Sequence, residues 1–325
     1  MERTSPALAD SRGLCTLTDG HAGNVRQAQS LARALGGEAR ETVLSPRAPW
    51  RWVAPRLLPG ATHAFGTAFH HLQMQPPALA IGCGRQAALA TRLLRMRGSR
   101  AIQILDPRID PSHWDLVIAP EHDGLTGPNV LTLLGSLNPV DDAWLADARA
   151  AFPSFAALPS PRIAVLLGGD SAHYSFDAAA LGRLATLLDT AAAAQSLMVT
   201  RSRRTPPGVI DALRQRWSAR ANTLLWCGAP DGPNPYAGLL AWADRIVCTP
   251  DSVNMLSEAC GTRAPVQVFE PDRVGGRPRR FMDALLRHGR VRDLADGQAP
   301  FGGEPLRETA RIAAEVRARL NLPDR

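Results

Sequence analysis

The sequence predicts an α/β protein built as two Rossmann-like, doubly wound domains. Three observations carry this. Short apolar runs alternate with amphipathic helical patterns along nearly the whole chain, the signature of parallel sheets covered on both faces. The 325 residues exceed what one ordinary core holds, so two domains of about 150 residues each are expected. A Pro-rich break at residues 152–161 interrupts the alternation once.

The first strand is expected at residues 14–18. After a glycine turn, Val25, Ala28, Leu31, Ala32 and Leu35 recur at helical spacing until Gly36-Gly37 supplies a C-cap. The pattern returns as a strand at 79–81, a glycine turn and a helix to Met96, then strands at 101–105, 115–119 and 130–134. Beyond the break come a strand at 163–167, a Gly-Gly turn, an Ala/Leu helix over 176–194, and strands at 196–200, 223–226, 245–249 and 265–269. Residues 306–320 form a charged amphipathic pattern with Ile312, Val316 and Leu320 on one side. The expected domains are 1–155 and 156–304, with 305–325 a helix placed to pack back on the first.

Composition narrows the chemistry. The net charge of +7 suits an anionic partner. All 37 basic residues are arginine, so a P-loop lysine and a Schiff-base amine are both excluded. Cys15, Cys83, Cys227, Cys248 and Cys260 are odd in number and scattered, and read as buried thiols of a reducing compartment without zinc spacing; no metal is expected. The first six residues lead into no apolar stretch, and no run of eighteen uncharged apolar residues occurs, so a cytoplasmic location is expected. Nucleic-acid binding is not expected, because the arginines are not interleaved with stacking aromatics.

Ligands of doubly wound sheets bind beyond the carboxyl ends of the strands, so the loops there carry the candidates. After the first strand, Thr18-Asp19-Gly20-His21-Ala22-Gly23-Asn24 offers His21 and Asp19 as proton acceptors on a glycine-permitted turn. Gly168, Gly169 and Ser171 follow the strand at 163–167, where tandem glycines present backbone N–H groups to a phosphate. Arg201, Ser202, Arg203 and Arg204 follow the next strand as a polyanion cluster, since guanidinium forks match phosphate oxygens. A helix begins at Asp251 or Ser252; its N-terminus with Ser252 and Asn254 suits a diphosphate, while Glu258 lies where vicinal ribose hydroxyls would be held. A rival signal is Gly82-Cys83-Gly84-Arg85-Gln86-Ala87 with Asp106 ending the next strand, the outline of a dinucleotide fingerprint displaced from the domain's first strand.

Residues 17–24, 104–108, 119–123, 168–171, 200–205, 234–236 and 251–259 together resemble the mitochondrial-fission ELM family over nearly the whole chain. Plant members of that family bring a dynamin-related protein to mitochondria; bacterial members, which this chain resembles more, are read as glycosyltransferases of unsettled substrate. A more distant similarity joins the glycine loop and the Ser257-Glu258-Ala259 helix to the lipid-linked peptidoglycan N-acetylglucosaminyltransferase and other glycosyltransferase-B enzymes. The resemblance implies two domains facing a cleft, with His21 as base beside Asp19, Ser252 and Asn254 at the phosphates, and Glu258 at the ribose.

The expected function is therefore metal-independent transfer of a sugar from a nucleoside diphosphate donor to an acceptor hydroxyl, with no cofactor beyond that nucleotide sugar. The acceptor is unassigned, a lipid-linked or cell-envelope glycan being among the options, with peripheral contact at an anionic inner membrane. Two alternatives stay open. A nucleotide-sugar epimerase of the same fold would draw on Asp106, Glu121, His122 and Asp123 around the sugar. A non-catalytic recruitment scaffold would have kept the fold and lost turnover.

Overall fold

The computed structural model describes residues 13–192, 195–297 and 301–323, which divide into two compact units. Unit one runs to Pro139 and takes up the chain again at Glu308; unit two is Val140–Arg307.

Unit one holds a six-stranded parallel sheet. Its strands are β1 (Leu14–Thr18), β2 (Ala39–Val43), β3 (Leu79–Cys83), β4 (Arg100–Ile104), β5 (Leu116–Pro120) and β6 (Val130–Leu133), in the order β2-β1-β3-β4-β5-β6. Central β3 and β5 are buried along their whole length, as strands covered on both faces must be. Helices α1 (Ala22–Ala34), α2 (Trp50–Val53), α3 (Gly66–Met74) and α4 (Arg85–Arg95) belong to this unit. Unit two opens with α5 (Asp142–Ala151) and holds a second parallel sheet. It comprises β7 (Arg162–Leu167), β8 (Ser196–Arg201), β9 (Thr223–Trp226), β10 (Arg245–Cys248), β11 (Val266–Val268) and β12 (Val291–Asp293), ordered β12-β11-β10-β7-β8-β9. Its further helices are α6 (Ala178–Ala192), α7 (Pro207–Trp217), α8 (Tyr236–Trp242), α9 (Val253–Cys260) and α10 (Gly276–Arg287). The expected helix end at 193–194 lies outside the described residues.

Two differences from expectation have physical causes. The boundary falls after Pro139 rather than at 155, because α5 is tied to the second sheet's helices. Asp142 pairs with Arg307 at 2.7 Å and Arg263 at 3.2 Å, and Arg149 Nε donates to the Ala241 carbonyl at 2.8 Å. Phe152 lies so close to α8 that a Cβ on Gly238 would stand 2.7 Å from its ring. Gly238→Ala is accordingly expected to destabilise unit two by about 1–3 kcal/mol through overpacking, readable by urea unfolding; an unchanged midpoint would mean that Phe152 can move away. The second difference is that β2 and β12 had no sequence signal. Both are edge strands with polar, half-exposed residues.

The last helix, α11 (Glu308–Leu320), packs on unit one: Ile312, Ala313, Val316 and Leu320 join the core of Ala28, Leu31 and Ala32 from α1. Thr309 Oγ1 donates to the Asn138 carbonyl at 2.8 Å, and Arg317 to that of Ala34 at 2.6 Å.

Each sheet has one place where the strand order reverses, between β1 and β3 in unit one and between β7 and β10 in unit two. In doubly wound sheets this is where the loops at the strands' carboxyl ends diverge and ligands bind.

Candidate functional site

At the switch point of unit one, the β1 loop meets the β3 loop. Asp19 accepts at Oδ1 from the His21 backbone N–H (3.1 Å) and from Asn24 Nδ2 (2.9 Å), and the same oxygen lies 3.1 Å from His21 Nδ1. Burial works against the Asp19 charge, but the hydrogen bonds from Asn24 and His21 outweigh it and hold the carboxyl below its ordinary value. Asp19 is thus an anion that fixes the imidazole through Nδ1–H and leaves Nε2 as the acceptor. The His21 side chain is 80% exposed while Asp19 is 21% exposed, so the imidazole is open to solvent and its partner is partly buried. Asn24 is held in turn by Cys83, whose Sγ donates to Asn24 Oδ1 at 3.6 Å. Burial, reinforced by the Asp19 charge, pushes the Cys83 thiol well above its ordinary value, so it is a neutral donor there and not a nucleophile.

The glycines of the apparent dinucleotide fingerprint serve this packing. A Cβ on Gly84, at φ +91°, would stand 2.8 Å from Asn24 Nδ2, and one on Gly82 would stand 2.7 Å from the Thr91 side chain. Asp106 is taken up by Arg108, through its backbone N–H at 2.7 Å and Nε at 3.1 Å, instead of pointing to a ribose.

At the switch point of unit two, the loops after β7, β8 and β10 converge on one buried carboxylate. Asp251 Oδ1 accepts from Thr249 Oγ1 (2.7 Å); Oδ2 accepts from the Gly169 N–H (3.2 Å) and from Arg204 (2.6 Å). The Asp251 side chain is 0% exposed, and that of Arg204 44%. The Gly168 N–H donates to Thr249 Oγ1 at 2.7 Å, and Thr205 Oγ1 donates to the Gly168 carbonyl. Both glycine amides expected to face a phosphate are therefore spent inside the cluster. Their lack of side chains serves close approach instead: a Cβ on Gly168 would stand 1.8 Å from Asp251 Oδ1, and one on Gly169 would stand 2.2 Å from the Arg204 carbonyl oxygen.

The three arginines divide accordingly. Arg204 is neutralised by Asp251 and also donates to the Asp170 carbonyl at 3.1 Å. Arg201 donates to two carbonyls, Cys227 at 2.6 Å and Ser202 at 3.2 Å, so its charge is fixed in place without being cancelled by them. Arg203 is exposed. Ser202 braces the loop, its Oγ accepting from the Arg204 N–H at 3.1 Å. Ser171 is exposed and turns back on its own hairpin: its N–H donates to the Tyr174 carbonyl at 2.8 Å, and its Oγ accepts from the His173 N–H at 3.2 Å.

Helix α9 starts at Val253, and its N-cap is Ser252, whose Oγ accepts from the Met255 N–H at 3.3 Å. Ser252 and Asn254 are half-buried at this end, where the helix dipole is positive. Glu258 sits deeper than expected: it is 2% exposed and accepts from the Tyr236 hydroxyl at 2.5 Å. The carboxylate expected to meet ribose hydroxyls is thus already taken up by the hydroxyl of Tyr236.

Sequence reasoning missed Thr249 as a member of the Asp251 cluster and Tyr236 as the partner of Glu258, as well as the contact of His173 with the α10 start. A Cβ on Gly276 would stand 2.6 Å from the His173 ring, and the Gly275 N–H donates to the His173 carbonyl at 2.9 Å. The Gly-Gly pair at 275–276 was the available signal for that contact. Among the described residues no group of three His, Cys, Asp or Glu side chains is placed to hold a metal ion.

Comparison with known proteins places this arrangement. The family model described as "Mitochondrial fission ELM1" matches residues 22–320. The Arabidopsis thaliana mitochondrial fission protein ELM1 is 30% identical over 275 residues, which cover 75% of this chain and 64% of that protein, so the chain matches less than two thirds of its relative's length. Among solved structures, the Methanocaldococcus jannaschii UDP-GlcNAc 2-epimerase in complex with UDP-GlcNAc and UDP superposes with a TM-score of 0.55 at 11% identity, over 94% of this chain and 99% of that one. The calicheamicin glycosyltransferase CalG4 gives 0.50 at 11% identity, over 95% and 99%. These likenesses establish the fold as the glycosyltransferase-B type.

Proposed function

This chain belongs to the mitochondrial fission ELM1 family, and we propose that it transfers a sugar from a nucleoside diphosphate donor to an acceptor hydroxyl. The observation that carries the reading is the convergence at the β7/β10 switch point: the Ser252-capped start of α9 and the Arg201–Arg204 loop meet on the buried Asp251. In this reading the diphosphate lies against the α9 N-terminus and Asn254. Arg201 and Arg203 stabilise the charge that grows as the glycosidic C–O bond to the diphosphate breaks. Arg204, paired with Asp251, positions the loop. His21 Nε2 takes the proton of the acceptor hydroxyl as its oxygen bonds to the sugar, and Asp19 holds the imidazole in the required tautomer.

Titration calorimetry with UDP, GDP and other nucleoside diphosphates tests the donor side. One of them should bind in the micromolar range, and Arg203→Ala should weaken it by about ten- to a hundredfold, the loss of one charge-assisted hydrogen bond. Binding no tighter than millimolar by every nucleotide sinks the proposal. The epimerase reading is favoured by the fold of the Methanocaldococcus structure. Incubating a labelled nucleotide sugar without acceptor separates the two readings, because only an epimerase changes it. The Arabidopsis relative's name favours a fission scaffold, for which neither turnover nor nucleotide binding is needed.

A further inference from the structure

We infer that unit one docks on an anionic lipid surface through a ridge formed by residues 51–58 and the outer face of α4. Residues 42–105 contain eight arginines and no Asp or Glu, so this segment accounts for more than the whole net charge of +7. The same segment carries every large hydrophobic that is exposed among the described residues: Val43, Trp52, Leu58, Met74 and Met96, from 37% to 69% exposed. Positive charge and uncovered apolar surface thus come from one stretch of chain, a coincidence that solubility alone works against.

Three of those apolar residues lie along or beside α4, Trp52 near its start and Leu58, next to Leu57, and Met96 near its end. Arg85, the first residue of α4, donates to the carbonyls of Trp52 and Arg51, each at 3.2 Å. One turn pair further on, Arg92 reaches the Pro55 carbonyl at 3.4 Å. At the far end, Leu57 and Met96 line one shallow cavity with Arg92, Arg95 and His113. The chain from Trp52 to Leu58 therefore lies along α4, whose eleven residues span about 16 Å. The exposed Arg51, Arg56 and Arg97 flank it.

An indole and two aliphatic side chains among guanidinium groups match the boundary of an anionic bilayer. Arginines meet the phosphates, Trp52 sits at headgroup depth, and Leu58 and Met96 reach the acyl edge. A nucleic acid would use the arginines but leave Leu58 and Met96 in water. No helix among the described residues is long and apolar enough to cross a membrane, so the contact is one of surface. The ridge begins at Arg85, next to Gly84 and hence beside the His21 loop, although docking does not rest on the glycosyl-transfer reading.

Co-sedimentation of the full chain with vesicles of phosphatidylcholine and phosphatidylglycerol, against phosphatidylcholine alone, tests this. The chain should partition to the anionic vesicles only. Reversing Arg51, Arg56 and Arg97 to Glu should lower partitioning on the order of a hundredfold or more, and Trp52→Ser with Leu58→Ser about tenfold. Reversal of Arg33, Arg280 and Arg287, exposed elsewhere, should have a far smaller effect. Brominated lipid should quench less of the fluorescence of Trp52→Phe than of the parent. Absence of vesicle binding, equal losses from the two triple reversals, or an unchanged Trp52→Ser/Leu58→Ser variant that binds duplex DNA instead would each overturn the proposal.

Discussion

Replacing Asp251 by alanine is expected to lower the unfolding transition of unit two by several degrees while leaving that of unit one in place. The carboxylate is wholly buried and is the common acceptor for Thr249 Oγ1, the Gly169 N–H and Arg204. Removing one partner of a buried ion pair destabilises by about 3–5 kcal/mol, because the remaining charge and donors lose their acceptor in a place water does not reach. Arg204 is 44% exposed and can turn toward solvent, which puts the loss near the lower end, about 3 kcal/mol. For a unit of this size that corresponds to a fall of roughly 6–12 °C. Asp251→Asn keeps the shape but sets an NH2 group against either donors or Arg204, so it should recover little of the loss. Gly168→Ala attacks the same cluster from the other side, since its Cβ would stand 1.8 Å from Asp251 Oδ1. Calorimetric scans of the three variants check this. A melting profile unchanged in Asp251→Ala would show that the loops are held by other contacts, and the convergence that carries the donor-site proposal would lose its support.

Asp251 also marks the limit of what the sequence discloses. The stretch Thr249-Pro250-Asp251-Ser252 reads locally as a strand end followed by a helix cap, and either Asp251 or Ser252 satisfies that pattern. Only pairing β10 beside β7 brings Gly168 against Asp251 and turns the acid inward, leaving Ser252 to cap α9. The tandem glycines were visible, but a glycine tolerated for a ligand's approach and one required by a neighbouring side chain look alike in one dimension. Buried strands stood out because their apolar runs are nearly continuous, whereas β2 and β12, on sheet edges with polar faces, had nothing to distinguish them from loops. The boundary shifted for a related reason. The Pro-rich stretch at 152–161 is a turn-rich passage within unit two, and the ion pairs of Asp142 that recruit α5 connect residues more than a hundred positions apart. The Asp19–His21 pair, by contrast, was legible because both partners lie in one seven-residue loop whose glycine fixes its turn.

The largest effect on turnover is expected from His21→Ala. General-base removal lowers rates by about 10²–10⁴-fold, provided the step is proton transfer from the acceptor. His21 belongs to unit one and the proposed donor groups to unit two, so nucleoside diphosphate affinity in the variant should stay close to that of the parent, and the loss should appear in kcat. Its ring is 80% exposed, so folding should be unaffected; a parallel loss of nucleotide binding and thermal stability would assign His21 to structure. Asp19→Asn separates orientation from proton acceptance. The amide is neutral and can present either its oxygen or its NH2 to Nδ1, so part of the population would carry the proton on Nε2, where it blocks the base. The Asp19 carboxyl is held below its ordinary value in the folded state, so its interaction with the loop is present above the unfolded value of 3.8 and is lost only as pH falls through the depressed one. At neutral pH Asp19 is therefore charged. Asp19→Asn removes the anion that orients the imidazole, so kcat should fall while nucleoside diphosphate affinity stays close to that of the parent. An unchanged kcat would separate Asp19 from the proton-transfer step and return it to its role as an anchor for Asn24.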